Sequence, residues 1–290
     1  MKRVLLWLSR RPLWFLHAIG AVLGWATYLF SPSYRQRLNL NAALAGVPAR
    51  ARRASVAEAG RLVMELPRLW LRPPEQPIAD PVIWQGTELV DKLLVQGRGI
   101  VMLSPHLGSF EVAAQAYAER FGARQPMTVL YRPARQAWLR ELEETARARP
   151  ALATAPANLA GVRLLMRALR KGQTLGVLPD QVPPEGMGVW APFFGKPAYT
   201  MTLAARLVQQ TGAAICLIWA TRLPGGSGYT VQFAPLAEPL PPRGKMDEEA
   251  WTLAAATAIN RSMEALIAQE PTQYLWGYHR YKSPRQADPT

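Results

Sequence analysis

The sequence predicts an α/β fold, a central and mostly parallel sheet covered by helices, behind a hydrophobic N-terminal helix. Three observations predict it. Short apolar runs of strand length alternate with segments of helical period beyond residue 82, and Gly and Pro mark the changeovers. Nearly half the chain is apolar, 49%, against 19% charged, which supplies a core for one large domain and excludes a disordered chain. No period of solenoid length repeats.

Taken in order, the elements begin with Leu13 to Phe30, eighteen residues without a formal charge. Arg10 and Arg11 precede the run, Arg35 and Arg37 follow it, and Trp7, Trp14, Trp25, Tyr28 and Tyr34 are suited to a membrane interface. A secretory signal would show a small-residue cleavage site after Phe30, where Ser-Pro-Ser-Tyr-Arg stands instead, so residues 1–34 are expected to be a retained anchor. The run is long enough for either a steep crossing or a shallow insertion. Residues 35–81 form a helical region closed by a Pro-rich connector, and residues 82–285 the α/β domain, with 286–290 as a tail. Within that domain helices are expected over Glu88–Gln96, Glu111–Arg120, Ala137–Ala148, Leu159–Arg170, Ala198–Gln210 and Glu248–Ala268. Strands are expected over Ile100–Leu103, Met127–Tyr131, Thr174–Leu178 and Ala214–Thr221, the last followed by a hairpin turn at 225–228 into Tyr229–Phe233.

Charge narrows the classes of partner. Of a net +14, residues 1–72 carry +10, so the basic excess sits beside the apolar run, as for a chain that meets an anionic membrane surface. No nucleic-acid-binding motif accompanies the charge. Cys216 is the sole cysteine and lies in an apolar run, which suits a buried thiol and excludes an internal disulfide. His17, His106 and His279 have no partner at metal-ligand spacing, so no metal and no cofactor is expected.

The chemistry-bearing segment runs from Gly99 through Ser104-Pro105-His106-Leu-Gly-Ser-Phe to Glu111, an apolar strand leading through a turn into a helix. Ligands of open α/β sheets bind at such strand ends. With His106 ahead of the helix, Glu111 can hold its imidazole in one tautomer, which makes His106 a general base for a hydroxyl. Ser109 as a hydrolase nucleophile would need Gly-x-Ser-x-Gly, which is absent. Gly108 and Ser109 instead offer backbone N–H groups at a helix start to an oxyanion.

These residues, with three further segments, resemble the late acyltransferases of lipid A biosynthesis. His106 to Glu111 is similar to the family's His-x4-acid motif, and Tyr131-Arg132-Pro133 to its Tyr-Arg-Pro turn. Leu178-Pro179-Asp180-Gln181 followed by Pro192-Phe193-Phe194-Gly195-Lys196-Pro197 resembles the Asp-Gln and Phe-Phe-Gly block, and Pro271 to Arg280 the closing motif. The resemblance covers roughly residues 5 to 285. It departs at the Ala-rich stretch 151–160, at Gly277-Tyr278 and at Ser109, where the family often carries Asn.

The resemblance implies a glycerolipid-acyltransferase-like fold and transfer of a fatty acyl chain from acyl carrier protein to a hydroxyl of a lipid A precursor, by an O-acyltransferase whose thioester donor is acyl carrier protein or acyl-CoA. It places the enzyme at the inner membrane with its catalytic domain facing the cytoplasm. Arg132 matches the family's substrate-contacting arginine, and Asp180 holds either Arg132 or the acceptor. Arg163, Arg167, Arg170 and Lys171 form a basic stripe, set opposite Leu164, Leu165 and Leu169, that suits the acidic carrier protein. Other readings of the same residues are an acyltransferase for another membrane glycolipid or lysophospholipid, and a non-catalytic membrane-surface binding protein.

Overall fold

Strand β2 (Ile100–Leu103) is buried on both faces, so its side chains divide between two cores. Ile100 and Met102 point into one and Val101 and Leu103 into the other, as the two-residue period of a strand requires. The computed structural model describes residues 2–73, 76–78, 81–131, 136 and 149–286. The expected helix Ala137–Ala148 lies outside them.

Ahead of the sheet come α1 (Lys2–Ser9), α2 (Leu13–Phe30), α3 (Pro32–Leu44) and α4 (Ala49–Leu71). The sheet uses β1 (Val82–Gln85), β2, β3 (Met127–Tyr131), β4 (Leu152–Pro156) and β5 (Thr174–Val177), then β8 (Ala214–Arg222) and β9 (Tyr229–Ala234). Its order is β1-β9-β8-β2-β5-β3-β4, and every neighbouring pair is parallel except β8 with β9. A separate antiparallel hairpin, β6 (Gly188–Phe193) and β7 (Lys196–Met201), sits between β5 and β8 in the chain.

One core joins the sheet to α5 (Thr87–Val95) and α6 (Phe110–Phe121), through residues such as Val90, Val112 and Tyr117. The other joins it to α7 (Leu159–Arg170), α8 (Leu203–Thr211) and α9 (Glu248–Gln269). Helix α4 contributes Val56 to the second core and Leu69 to the first, so it straddles the sheet edge. At that edge Arg222, the last residue of β8, donates to Glu58 (2.8 Å) and Glu65 (3.0 Å) of α4. The same Glu65 pairs with His17 of α2 (3.3 Å) and accepts from the Tyr229 hydroxyl (3.1 Å).

Several expectations change. The helical region expected from residue 35 divides between α3 and α4, because Ala45 to Pro48 ends the one and starts the other. The expected helix Ala198–Gln210 begins only at Leu203, since Ala198 to Met201 pair with β6 in a ladder. Strands β1, β4, β6 and β7 had no sequence signal strong enough to separate them from their loops. Leu164, expected on the apolar side of α7, is 43% exposed while Leu165 and Leu169 are buried.

Glu65 is fully buried and holds three partners, so Glu65→Ala strands the Arg222 guanidinium with Glu58 alone and is expected to cost about 3–5 kcal/mol. Urea unfolding of the two proteins, compared by midpoint and slope, measures this.

Candidate active site

Two paired strands end side by side: Leu103 of β2 lies opposite Val177 of β5, and the next step, Ser104 N–H to the Val177 carbonyl (3.1 Å), closes the ladder. Three residues beyond each member of that pair stand His106 and Asp180. The equal offset makes them meet. The His106 main-chain N–H donates to Asp180 Oδ2 (2.9 Å) and its ring Nδ1 to Oδ1 (2.7 Å). An ionised carboxylate only accepts, so Nδ1 carries the proton and Nε2 presents its lone pair. That lone pair lies 2.9 Å from the Gln181 side-chain nitrogen, which donates to it. The ring also packs edge-on against Phe110, at 4.9 Å between centroids.

Asp180 is 2% exposed and His106 15%, so the carboxylate is sealed while the ring reaches the surface. Burial alone would push the Asp180 carboxyl up. The charge and N–H groups of His106, with the Arg280 guanidinium, outweigh it and hold the carboxyl below its ordinary value. Burial and the nearby Asp180 charge raise the Tyr274 phenol well above its ordinary value, which keeps it a neutral donor. Arg280 is itself held by the Tyr199 carbonyl and the Thr200 hydroxyl of β7, both at 2.7 Å.

The closing segment cradles the histidine turn. Leu275 N–H donates to the His106 carbonyl (3.1 Å), and Gly108 N–H donates to the Gln273 carbonyl (2.9 Å). Gly108 adopts φ +57°, and a Cβ there would lie 2.0 Å from the Ala220 carbonyl oxygen of β8, so only glycine lets the turn lie against that strand. In the Phe-Phe-Gly block, Phe194 and Gly195 form the β6–β7 turn, pinned by Phe194 N–H to Glu264 of α9 (2.6 Å).

The candidate residues therefore sort as follows. His106 precedes α6 as expected, but the carboxylate on its Nδ1 belongs to Asp180, because strand register brings Asp180 to the ring. Glu111 sits buried in the first turn of α6, where its charge complements the helix dipole. The Gly108 and Ser109 N–H groups are committed to the Gln273 and Ala220 carbonyls (2.9 and 2.8 Å), which corrects their reading as oxyanion donors. The Ser109 hydroxyl is sealed and has no hydrogen-bond partner among the described residues, which does not fit a nucleophile. Arg132 lies outside the described residues. Burial pushes the Cys216 thiol up to about 12, so it stays a thiol. Sequence reasoning does not single out Gln181 as a partner of His106, nor Tyr274 and Arg280 as partners of Asp180, although all three fall inside segments that carry the family resemblance.

Comparison with known proteins places the chain in a family. Residues 3–283 match the family model described as bacterial lipid A biosynthesis acyltransferase. The chain belongs to that family. It is 28% identical over 200 residues to the lipid A biosynthesis palmitoleoyltransferase of Escherichia coli (strain K12), covering 69% of this chain and 61% of that protein. Against the lipid A biosynthesis lauroyltransferase of the same organism, identity is 27% over 232 residues, covering 80% of this chain and 71% of the relative. A lipid A biosynthesis acyltransferase of Shigella flexneri is 28% identical over 200 residues. The match thus spans under two thirds of the palmitoleoyltransferase's length. Within this acyltransferase family fold, the His106–Asp180 pair occupies the carboxyl rim of the sheet.

Asp180 stabilises the folded chain through a lowered pKa, so its contribution is present above the ordinary carboxylate value, about 4, and is lost as pH falls through the lower folded value. The difference in unfolding free energy between the wild type and Asp180→Asn should be constant from neutral pH down to about 5 and shrink below about 4. Thermal or urea unfolding across that range reads it.

Proposed function

We propose that this protein is a membrane-surface O-acyltransferase that moves a fatty acyl chain from acyl carrier protein to a hydroxyl of a lipid A precursor. The observation that carries the reading is the His106 ring, fixed at Nδ1 by a buried carboxylate and capped at Nε2 by the exposed Gln181 amide, on the sheet rim of a chain in this family. The acceptor hydroxyl takes the place of the Gln181 amide at Nε2 and gives up its proton as its oxygen attacks the thioester carbonyl. The tetrahedral intermediate then collapses, the C–S bond breaks, and the imidazolium returns the proton to the leaving thiolate.

Asp180 holds the tautomer and stabilises the imidazolium, and the displaced Gln181 amide donates to the oxyanion. Glu111, one residue beyond the ring-packing Phe110, adds a second negative charge beside the cation. Arg132, which follows the last residue of β3, binds the acceptor's phosphate or carboxylate by its planar fork. Transfer is direct in a ternary complex: Cys216 is buried and Ser109 is sealed, so neither is placed to carry an acyl group.

Arg163, Arg167, Arg170 and Lys171 are exposed along one side of α7 and dock the acidic carrier protein. The basic N-terminal region and α2 hold the enzyme on the anionic cytoplasmic face of the inner membrane.

The test is transfer from labelled acyl carrier protein to a lipid A precursor. His106→Ala is expected to lose at least about 10²-fold, and Asp180→Asn about 10²- to 10⁴-fold, with cooperative unfolding retained. Wild-type rates in His106→Ala overturn the reading. Reversing Arg163 and Arg167 to Glu should raise KM for the carrier protein at low salt and leave kcat unchanged, an effect that fades as salt screens the charges.

A further inference from the structure

Helix α2 is long and apolar enough to cross a bilayer by composition, with a mean hydropathy of 1.5 over eighteen residues, yet it is not free to do so as a lone helix. It lies antiparallel along α4 in close contact. A Cβ on Gly60 would meet the Gly20 carbonyl oxygen at 1.9 Å, and one on Gly24 the Val56 carbonyl oxygen at 2.2 Å. Toward the other end His17 pairs with Glu65, and the Arg11 carbonyl accepts from Arg68 (3.0 Å). Contact thus runs from Gly24 back to Arg11, most of the helix.

Helix α4 is charged along the same stretch, with Glu58, Arg61, Glu65 and Arg68, and Glu58 and Glu65 hold Arg222 of the sheet. If α2 stood across the membrane, α4 would enter with it, at about 2.5–3.5 kcal/mol for each Arg near the bilayer centre. If α2 left α4 behind, Glu65 would lose His17 and the Gly20 and Gly24 backbone would lose its packing partner. Either arrangement breaks what the structure builds.

The opposite side of α2 carries the complementary signal. Trp14, Ala18, Val22, Trp25 and Leu29 are all exposed and recur at helical spacing, so they form one apolar stripe facing away from α4. Val4, Leu6 and Trp7 of α1 and Leu40 and Leu44 of α3 extend the exposed apolar surface on either side of the stripe in the chain, and Arg3 and Arg10 are exposed near its start. Apolar surface of this extent is unusual on a soluble monomer. A stripe beside a basic rim suits the boundary between anionic headgroups and acyl chains.

We propose that α2 lies in the plane of the membrane interface, its Trp14–Leu29 stripe buried among lipid and α4 on the aqueous side, so that both ends of the helix stay on the same face of the membrane. The sheet rim that carries His106 is bound to α4 through Arg222, so this orientation sets the rim at the membrane surface rather than on a tether above it. The inference needs membrane association but not the acyl-transfer chemistry.

Single cysteines at Arg10→Cys and Ser33→Cys flank α2 at exposed positions, in a chain carrying Cys216→Ala. Spheroplasts of a Gram-negative host are treated with a membrane-impermeant maleimide before and after disruption. The expected result is that the protein fractionates with membranes and that both sites label on one side only, after disruption. Labelling of the two sites from opposite sides overturns the in-plane orientation, as does a chain that remains in the soluble fraction or buries the stripe in a dimer. If both sites label in intact spheroplasts, the in-plane orientation stands and the cytoplasmic location fails. Transfer activity is assayed separately, so its loss does not bear on the labelling.

Discussion

The site depends on one carboxylate being kept charged where water cannot reach it. Asp180 is almost sealed, and the burial of an ion costs several kcal/mol unless hydrogen bonds and opposite charge replace the lost water. Here the replacement comes from both N–H groups of His106 and the charge of Arg280. The same bonds that make burial tolerable orient the imidazole. Stability and ring orientation therefore rest on the same contacts, and rotating the ring costs Asp180 one of its hydrogen bonds.

That arrangement explains why distant segments converge. Arg280 is held in place by the β6–β7 hairpin, and the hairpin by α9 through Glu264 and Asn260. The chain from Gln273 to Leu275 supplies carbonyl and N–H partners to the turn around His106. Segments that look like separate motifs in the chain are thus one support. The Phe-Phe-Gly block serves it from a hairpin turn rather than from the reacting centre.

The carboxyl rim of the sheet is also where the N-terminal helices attach. Gln273 accepts the Gly108 N–H through its carbonyl and brackets Arg222 through its side chain, at 2.9 and 3.2 Å. Arg222 reaches Glu58 and Glu65, and Glu65 reaches His17. A cavity of about 420 Å³, lined by Trp14, His17, Glu58, Arg61, Arg222 and Gln273 among others, opens between these elements. A continuous polar chain thus links α2 to the turn that carries His106.

Sequence by itself determined what local forces decide. Strands β2 and β3 and helices α2 and α7 begin and end where apolar period and flanking Gly, Pro or Ser place them. Charge and apolarity together marked the N-terminal face, and the position of His106 ahead of a helix was legible from its Pro-containing turn. The partner of that histidine was not legible. Glu111 lies five residues away in the chain and Asp180 seventy-four, and only the pairing of β2 with β5 sets equal offsets on adjacent strands opposite each other. The weak strands β1, β4, β6 and β7 likewise exist because a neighbour's free N–H and C=O groups need partners, a demand that no local window contains.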